Sequence, residues 1–212
     1  FYAFYAAVAQ EIEPAPCSGA EVVLGEVVGT AFRGPAWYSS EEDAVFASDP
    51  LGSQILGASL QTGEIHQSFQ RQGGENILVR GLCVAQVYLY VSDSASQRVL
   101  RWTLADPPLP PVEVAGGAIW SLDTPAGVWV DPQGLYLFVA DASRHILVAI
   151  PVDEGAQTQA NVAAGTPDAP GSGLLDFREP TGVSGLEGGE TYWVFVADRL
   201  NHRVVVHRVE QR

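Results

Sequence analysis

The chain has 212 residues, 47% of them hydrophobic and 17% charged, a balance that supports a buried core and excludes a disordered chain. Its net charge of −14, with eleven basic residues that are all arginine, argues against nucleic acid as a partner, because phosphate binding needs a basic face. No apolar stretch reaches the ~20 residues of a membrane-spanning helix, and the two cysteines, Cys17 and Cys83, allow one disulfide and no zinc-ligand spacing.

Phe1 to Ala9 is apolar, aromatic and uncharged, and Ala7-Val8-Ala9 has the small-x-small form of a signal-peptidase site. Three readings stay open: the tail of a targeting peptide, an arm that packs on a partner or lies at a membrane surface, or a cover for the domain's own apolar surface. Phe1, Tyr2, Phe4 and Tyr5 are the contact candidates in the second. Methionine is absent altogether, which points to a processed protein or a fragment and sets the expectation of a secreted or organelle-lumen location. Pro14, Pro16, Ser18 and Gly19 mark a linker, so 1–20 is expected as an extension and 21–212 as one domain. Glu21 to Val28 is expected as a first strand.

Four later stretches end alike, in apolar residues, a small residue and aspartate: Val45 to Asp49, Leu89 to Asp93, Leu137 to Asp141 and Val194 to Asp198. A repeat of this period, made of short strands, predicts a β-propeller or a related array. Each repeat follows one plan: a strand, a tight turn, the strand ending in Asp, a second turn, a third strand, and a connection carrying a fourth. In the third repeat these are Gly127 to Val130, the type I turn Asp131-Pro132-Gln133-Gly134, Leu135 to Ala140, and Ile146 to Val152. The fourth has Gly182 to Ser184, a turn around Glu187 to Glu190, Tyr192 to Ala197 and Val204 to Val209. Helical periodicity is missing throughout, and the chain reads as all-β.

The recurring Asp residues, Asp49, Asp93, Asp141 and Asp198, are expected as hairpin caps whose carboxylates accept backbone N–H groups in the following turn. Arg98 and Arg203 stand five residues after Asp93 and Asp198, where an ion pair can close the loop. A ring of calcium ligands is the competing idea, but calcium needs six to eight oxygens at one point.

These features resemble the NHL repeat. Pro125 to Asp141 and Pro180 to Asp198 carry the resemblance, above all Ala197-Asp198-Arg199-Leu200-Asn201-His202-Arg203-Val204, together with the Gly-rich link from Ala163 to Pro180. It covers about residues 30–210. It implies one four-stranded blade per repeat, about four of them. They form either a small ring closed by a blade shared between the two ends of the chain, which is the arrangement expected, or part of a larger propeller.

His145 and His202 hold matching turn positions and could share a face as metal ligands, but the turn role is the stronger reading. His66 and His207 are expected at the surface. Trp37, Trp129 and Trp193 are expected in the core, and Trp102 and Trp120 as candidates for partner contact. No nucleophile elbow, zincin motif or phosphate-binding Gly loop is present, so no catalytic, cofactor-binding or metal residue is assigned. The expectation is a non-enzymatic protein-interaction or scaffold module, a subunit of a larger complex. The alternative is a lyase- or lactonase-like propeller with a metal in its central channel.

Overall fold

The computed structural model describes residues 4–7, 36–39, 44–49, 54–59, 65–70, 77–105, 109–116, 120–152, 160–188 and 191–210. They form sixteen strands in four antiparallel sheets of four, interrupted by a single 3-10 turn at Arg199–Asn201. The predicted strand Glu21 to Val28 and Cys17 lie outside the described residues.

Strand β1 (Phe4–Ala7) belongs to the last sheet. Blade 1 comprises β2 (Ala36–Ser39), β3 (Ala44–Asp49), β4 (Gln54–Ser59) and β5 (Ile65–Phe69). Blade 2 is β6 (Val79–Ala85), β7 (Tyr88–Asp93), β8 (Arg98–Thr103) and β9 (Val112–Gly116). Blade 3 is β10 (Pro125–Val130), β11 (Tyr136–Asp141), β12 (Ile146–Pro151) and β13 (Asn161–Ala164). Blade 4 is β14 (Pro180–Gly188), β15 (Thr191–Asp198), β16 (Arg203–Glu210) and, as its fourth strand, β1, which pairs antiparallel with β16 from Phe4↔Val209 to Ala7↔Val206. Residues 4–7 sit inside the segment read as an extension, and they rather than 21–28 complete the sheet.

Local chemistry explains the meander. In blade 3 the Asp-Pro-Gln-Gly turn closes through Gly134 N–H to Asp131 O at 2.9 Å, with Gly134 at φ 70°, a conformation glycine adopts without penalty. The blade's strands have continuous apolar runs because both faces are covered: every residue of β10 and β12 is buried.

Successive blades stack through their first strands, β2 on β6, β6 on β10 and β10 on β14. One apolar core fills blades 2 to 4 and a second joins blade 1 to blade 2 through Phe46, Phe69, Leu82, Leu100 and Trp102. Among the described residues no comparable packing joins β14 to β2. Among the described residues the four blades follow one another in an arc; the sheet shared between the two ends of the chain is there as anticipated, while none of the described contacts closes the ring.

Candidate interaction surface

Each blade has a trailing face toward the preceding blade and a leading face toward the next. Strand register assigns residues to each, since alternate side chains point to opposite sides. The central aromatic of the leading face is Phe46, Tyr90, Phe138 and Phe195 in blades 1 to 4. In the third strand the equivalent position is Ile55, Val99, Leu147 and Val204. The first three members of each set are buried against the next blade. In blade 4 the pattern breaks: Phe195 and Trp193 are partly exposed, Val204 is 45% exposed, and Leu186, paired with Trp193, is 62% exposed. Contiguous apolar surface at one place marks an interaction site more reliably than scattered exposed residues.

Two further features recur at the junctions on either side of blade 3. A bulge opens the first strand between Val79 and Gly81, Pro125 and Val128, and Pro180 and Gly182. Gly81 and Gly127 then lie so close to the next blade that an added Cβ would overlap Ala126 O and Val183 N respectively. Among the described residues Gly182 of blade 4 has no such neighbour; its Cβ would meet Ala197 of its own sheet, at a tight 3.3 Å.

The turn between second and third strands supplies the other feature. Gln97, His145 and His202 occupy one equivalent site at φ 57°, 60° and 51°. From there Gln97 Nε2 donates to Asp123 Oδ1 of blade 3 (3.0 Å), and His145 Nδ1 accepts Glu179 N–H of blade 4 (3.2 Å). His202 is exposed at the end of the arc. His145 therefore staples two blades, and among the described residues no cluster of three His, Cys, Asp or Glu could hold a metal ion.

The recurring carboxylates bond both ways, backward to the segment leading into the blade's own first strand and, in Asp93 and Asp198, into the following turn as well. Asp93 Oδ1 accepts Leu78 N–H (3.0 Å) and, within the turn, Ala95 N–H (3.2 Å). Asp141 accepts Asp123 N–H (2.8 Å) and Thr124 N–H (3.0 Å). Asp198 accepts Arg178 N–H (2.6 Å), Asn201 Nδ2 (2.7 Å) and Arg203 Nε (2.8 Å). Arg203 also donates to Ser172 O, Gly173 O and Asp176 O in the Gly-rich link. Arg98 pairs in register with Asp93 and forms an ion pair with Glu113 at 3.0 Å. Asp49 ends β3 opposite Gln54; its side chain lies outside the described residues.

Several expectations need correction. Trp102, a contact candidate, is 1% exposed, and forms an edge contact with Phe69 in the core between blades 1 and 2. Trp193, expected in the core, lies on the open face instead. Trp120 is partly buried and bridges to Gly116. His207, expected at the surface, is fully buried against Phe177, and desolvation pushes its pKa down to about 4. Cys83 is a buried free thiol whose pKa desolvation raises to about 12, which suppresses the nucleophilic thiolate. Phe1 and Tyr2 fall outside the described residues; Phe4 and Tyr5 are placed in β1 without a description of their side chains.

At the turn end of the first strands, a polar depression of about 270 Å³ is lined by Gln86, Trp129, Asp131, Pro132, Gly185 and Glu187, among others. Asp131 is 2% exposed and spends Oδ1 on Leu135 N–H (2.6 Å) and Tyr136 N–H (2.9 Å); burial raises its pKa. It is a turn cap rather than a free acid.

No protein-family model matches the chain, and no curated protein matches it. Solved structures do. A Bacteroides thetaiotaomicron protein of unknown function shares 18% identity, with a TM-score of 0.66 over 84% of this chain and 48% of its own. An auxiliary nutrient-binding protein from Bacteroides ovatus shares 15%, with a TM-score of 0.62 over 83% and 48%. A luciferin-regenerating enzyme shares 14%, with a TM-score of 0.53 over 84% and 60%. These likenesses show the propeller fold, and the chain spans about half the length of the first two proteins.

Proposed function

We propose that this chain is a non-enzymatic interaction module built of NHL-like blades, working as a subunit or accessory of a larger assembly of proteins. The observation that carries the reading is the leading face of blade 4, where residues that are core in three blades meet solvent in the fourth. An enzymatic reading requires His, Asp and Glu side chains converging on the channel. The first strands β2, β6, β10 and β14 carry no His and no Asp, and a single Glu, Glu187. The fold is shared with enzymes and binding proteins alike, so the reading rests on the surface and not on the neighbours.

Native mass spectrometry of the protein isolated from its source tests it. The expected result is a species well above the 22.6 kDa of one chain, dissociated by Val204→Asp. A single-chain mass under all gentle conditions would overturn the reading.

A further inference from the structure

We infer that the depression at the turn end of the first strands is a binding site for a primary ammonium group, held by the second carboxylate oxygen of Asp131, with an alkyl stem lying along the apolar part of the wall. The inference goes beyond the interaction reading and is independent of the open face of blade 4.

The turn of blade 3 uses only half of Asp131. Oδ1 accepts Leu135 N–H and Tyr136 N–H, which caps the Asp-Pro-Gln-Gly turn. Oδ2 is also buried and has no hydrogen-bond partner among the described residues, although the side chain is 98% covered and lines the depression. A buried carboxylate oxygen without a donor is costly, and the raised pKa of Asp131 has burial as its largest cause. The carboxylate is also particular to blade 3. By register its equivalents in blades 1, 2 and 4 are Ser39, Ala85 and Leu186.

The surroundings select the ligand. Glu187 of blade 4 adds a second carboxylate to the lining and Gln86 of blade 2 a carboxamide, while no Arg or His lines it. Such a wall asks for a donor that carries positive charge. A divalent metal ion is poorly served: calcium wants six to eight oxygens at one point, and among the described residues no group of three His, Cys, Asp or Glu could hold an ion. A guanidinium draws its advantage from gripping both oxygens of one carboxylate, and Asp131 offers one. An ammonium is a point charge with three donors, which one free oxygen and two rim acceptors suit, and its methylenes can cover Val130 and Pro132. The volume of about 270 Å³ admits a small molecule or one long side chain.

The wall is preformed. Trp129 lies across Gly185 of blade 4 so closely that an added Cβ there would overlap its indole, and the Gln86 amide lies against Gly134 in the same way. Where blade 4 has Gly185, blades 2 and 3 have Val84 and Val130. Glycine at that one place lets Trp129 span the junction and wall the depression.

Titration of the isotopically labelled full chain with n-butylammonium chloride at constant ionic strength tests the proposal. It is followed by NMR at the amides of Leu135 and Tyr136 and at the Trp129 indole. The expected result is a set of shifts that saturates below about 50 mM, the millimolar affinity of so small a ligand, with no response to n-butanol. Asp131→Asn keeps an acceptor for the two turn amides and replaces Oδ2 by a donor. It should retain the wild-type thermal midpoint and bind about tenfold or more weakly. Glu187→Gln, at an exposed position, should weaken binding severalfold and keeps the test decisive if the Asn variant does not fold. Nα-acetyl-lysine amide separates the two sources of the same chemistry: tighter binding than n-butylammonium assigns the site to a lysine side chain of a partner protein, weaker binding to a free amine. Shifts that n-butanol reproduces, shifts that do not saturate, or an affinity that a folded Asp131→Asn leaves unchanged would overturn the inference.

Discussion

Asp141 is fully buried, yet its two oxygens each accept a backbone N–H, from Asp123 and Thr124. Truncation to alanine leaves those donors unsatisfied in a half-buried site, where each costs about 1–3 kcal/mol. Asp141→Ala should therefore lose about 3 kcal/mol in urea denaturation, and Asp141→Asn, which turns an N–H toward an N–H, should recover only part of it. A loss below about 1 kcal/mol for alanine would remove the cap from any account of the fold. His207 makes a pH prediction at the same scale. Burial lowers its folded pKa to about 4 while the unfolded chain titrates near the ordinary histidine value of 6.5, so the unfolded state binds the proton first as pH falls. Stability is unaffected above pH 6.5 and declines progressively from there toward pH 4, by up to about 3 kcal/mol from this group. Replacing His207 by Leu should flatten that part of the profile; an unchanged slope between pH 6.5 and 4 would place the acid sensitivity elsewhere.

Between elements, the junction of blades 3 and 4 rests on a single missing Cβ. Gly127→Ala would drive a methyl into Val183 N and the backbone of Gly182, so the blades must separate or the bulge must unwind. A loss of about 2–4 kcal/mol is expected by the overpacking argument, against a smaller one for Gly182→Ala, whose Cβ would lie 3.3 Å from Ala197 Cβ rather than against backbone. Equal thermal midpoints for the two variants would contradict the close approach. His145→Ala removes one staple and should cost about 1 kcal/mol, the ordinary worth of such a bond. The strands themselves were legible in the sequence: the recurring Asp and the apolar runs locate the second and third strands of every blade. Which tryptophan is covered was not legible, because Trp102 and Trp193 stand in strands of the same composition. Periodicity assigns a side chain to a face, but the neighbouring blade decides whether that face is dry, and Trp102 has blade 1 beside it while Trp193 has nothing equivalent. The backward direction of the Asp bonds was equally hidden, since Leu78, Asp123 and Arg178 lie 15 to 20 residues away in the chain. That the last blade draws its fourth strand from the start of the chain was legible, because its repeat stops after three strands; that Phe4–Ala7 supplies it was not, because this stretch reads as an extension.

For the whole molecule, an arc and a ring differ in how protection is distributed. In a closed ring every blade is flanked on both sides, and each sheet should open only with its neighbours. In an arc of stacked repeats stability is a sum of blade terms and junction terms, so a terminal blade holds one junction fewer. Blade 3 has two junctions, and every residue of β10 and β12 is buried; blade 4 has one, and its leading face meets solvent at Leu186 and Val204. Local opening should therefore be cheaper in blade 4 than in blade 3 despite the long, fully paired ladder of β15 with β16. Hydrogen exchange of the dilute single chain should find the amides of Val139, Leu147 and Val148 slowest, exchanging only on global unfolding. Those of Phe195 and Val206 should exchange about ten- to a hundredfold faster. Uniform protection across blades at low concentration would mean that the ends of the arc already meet within one chain, and the face that carries the functional reading would be closed.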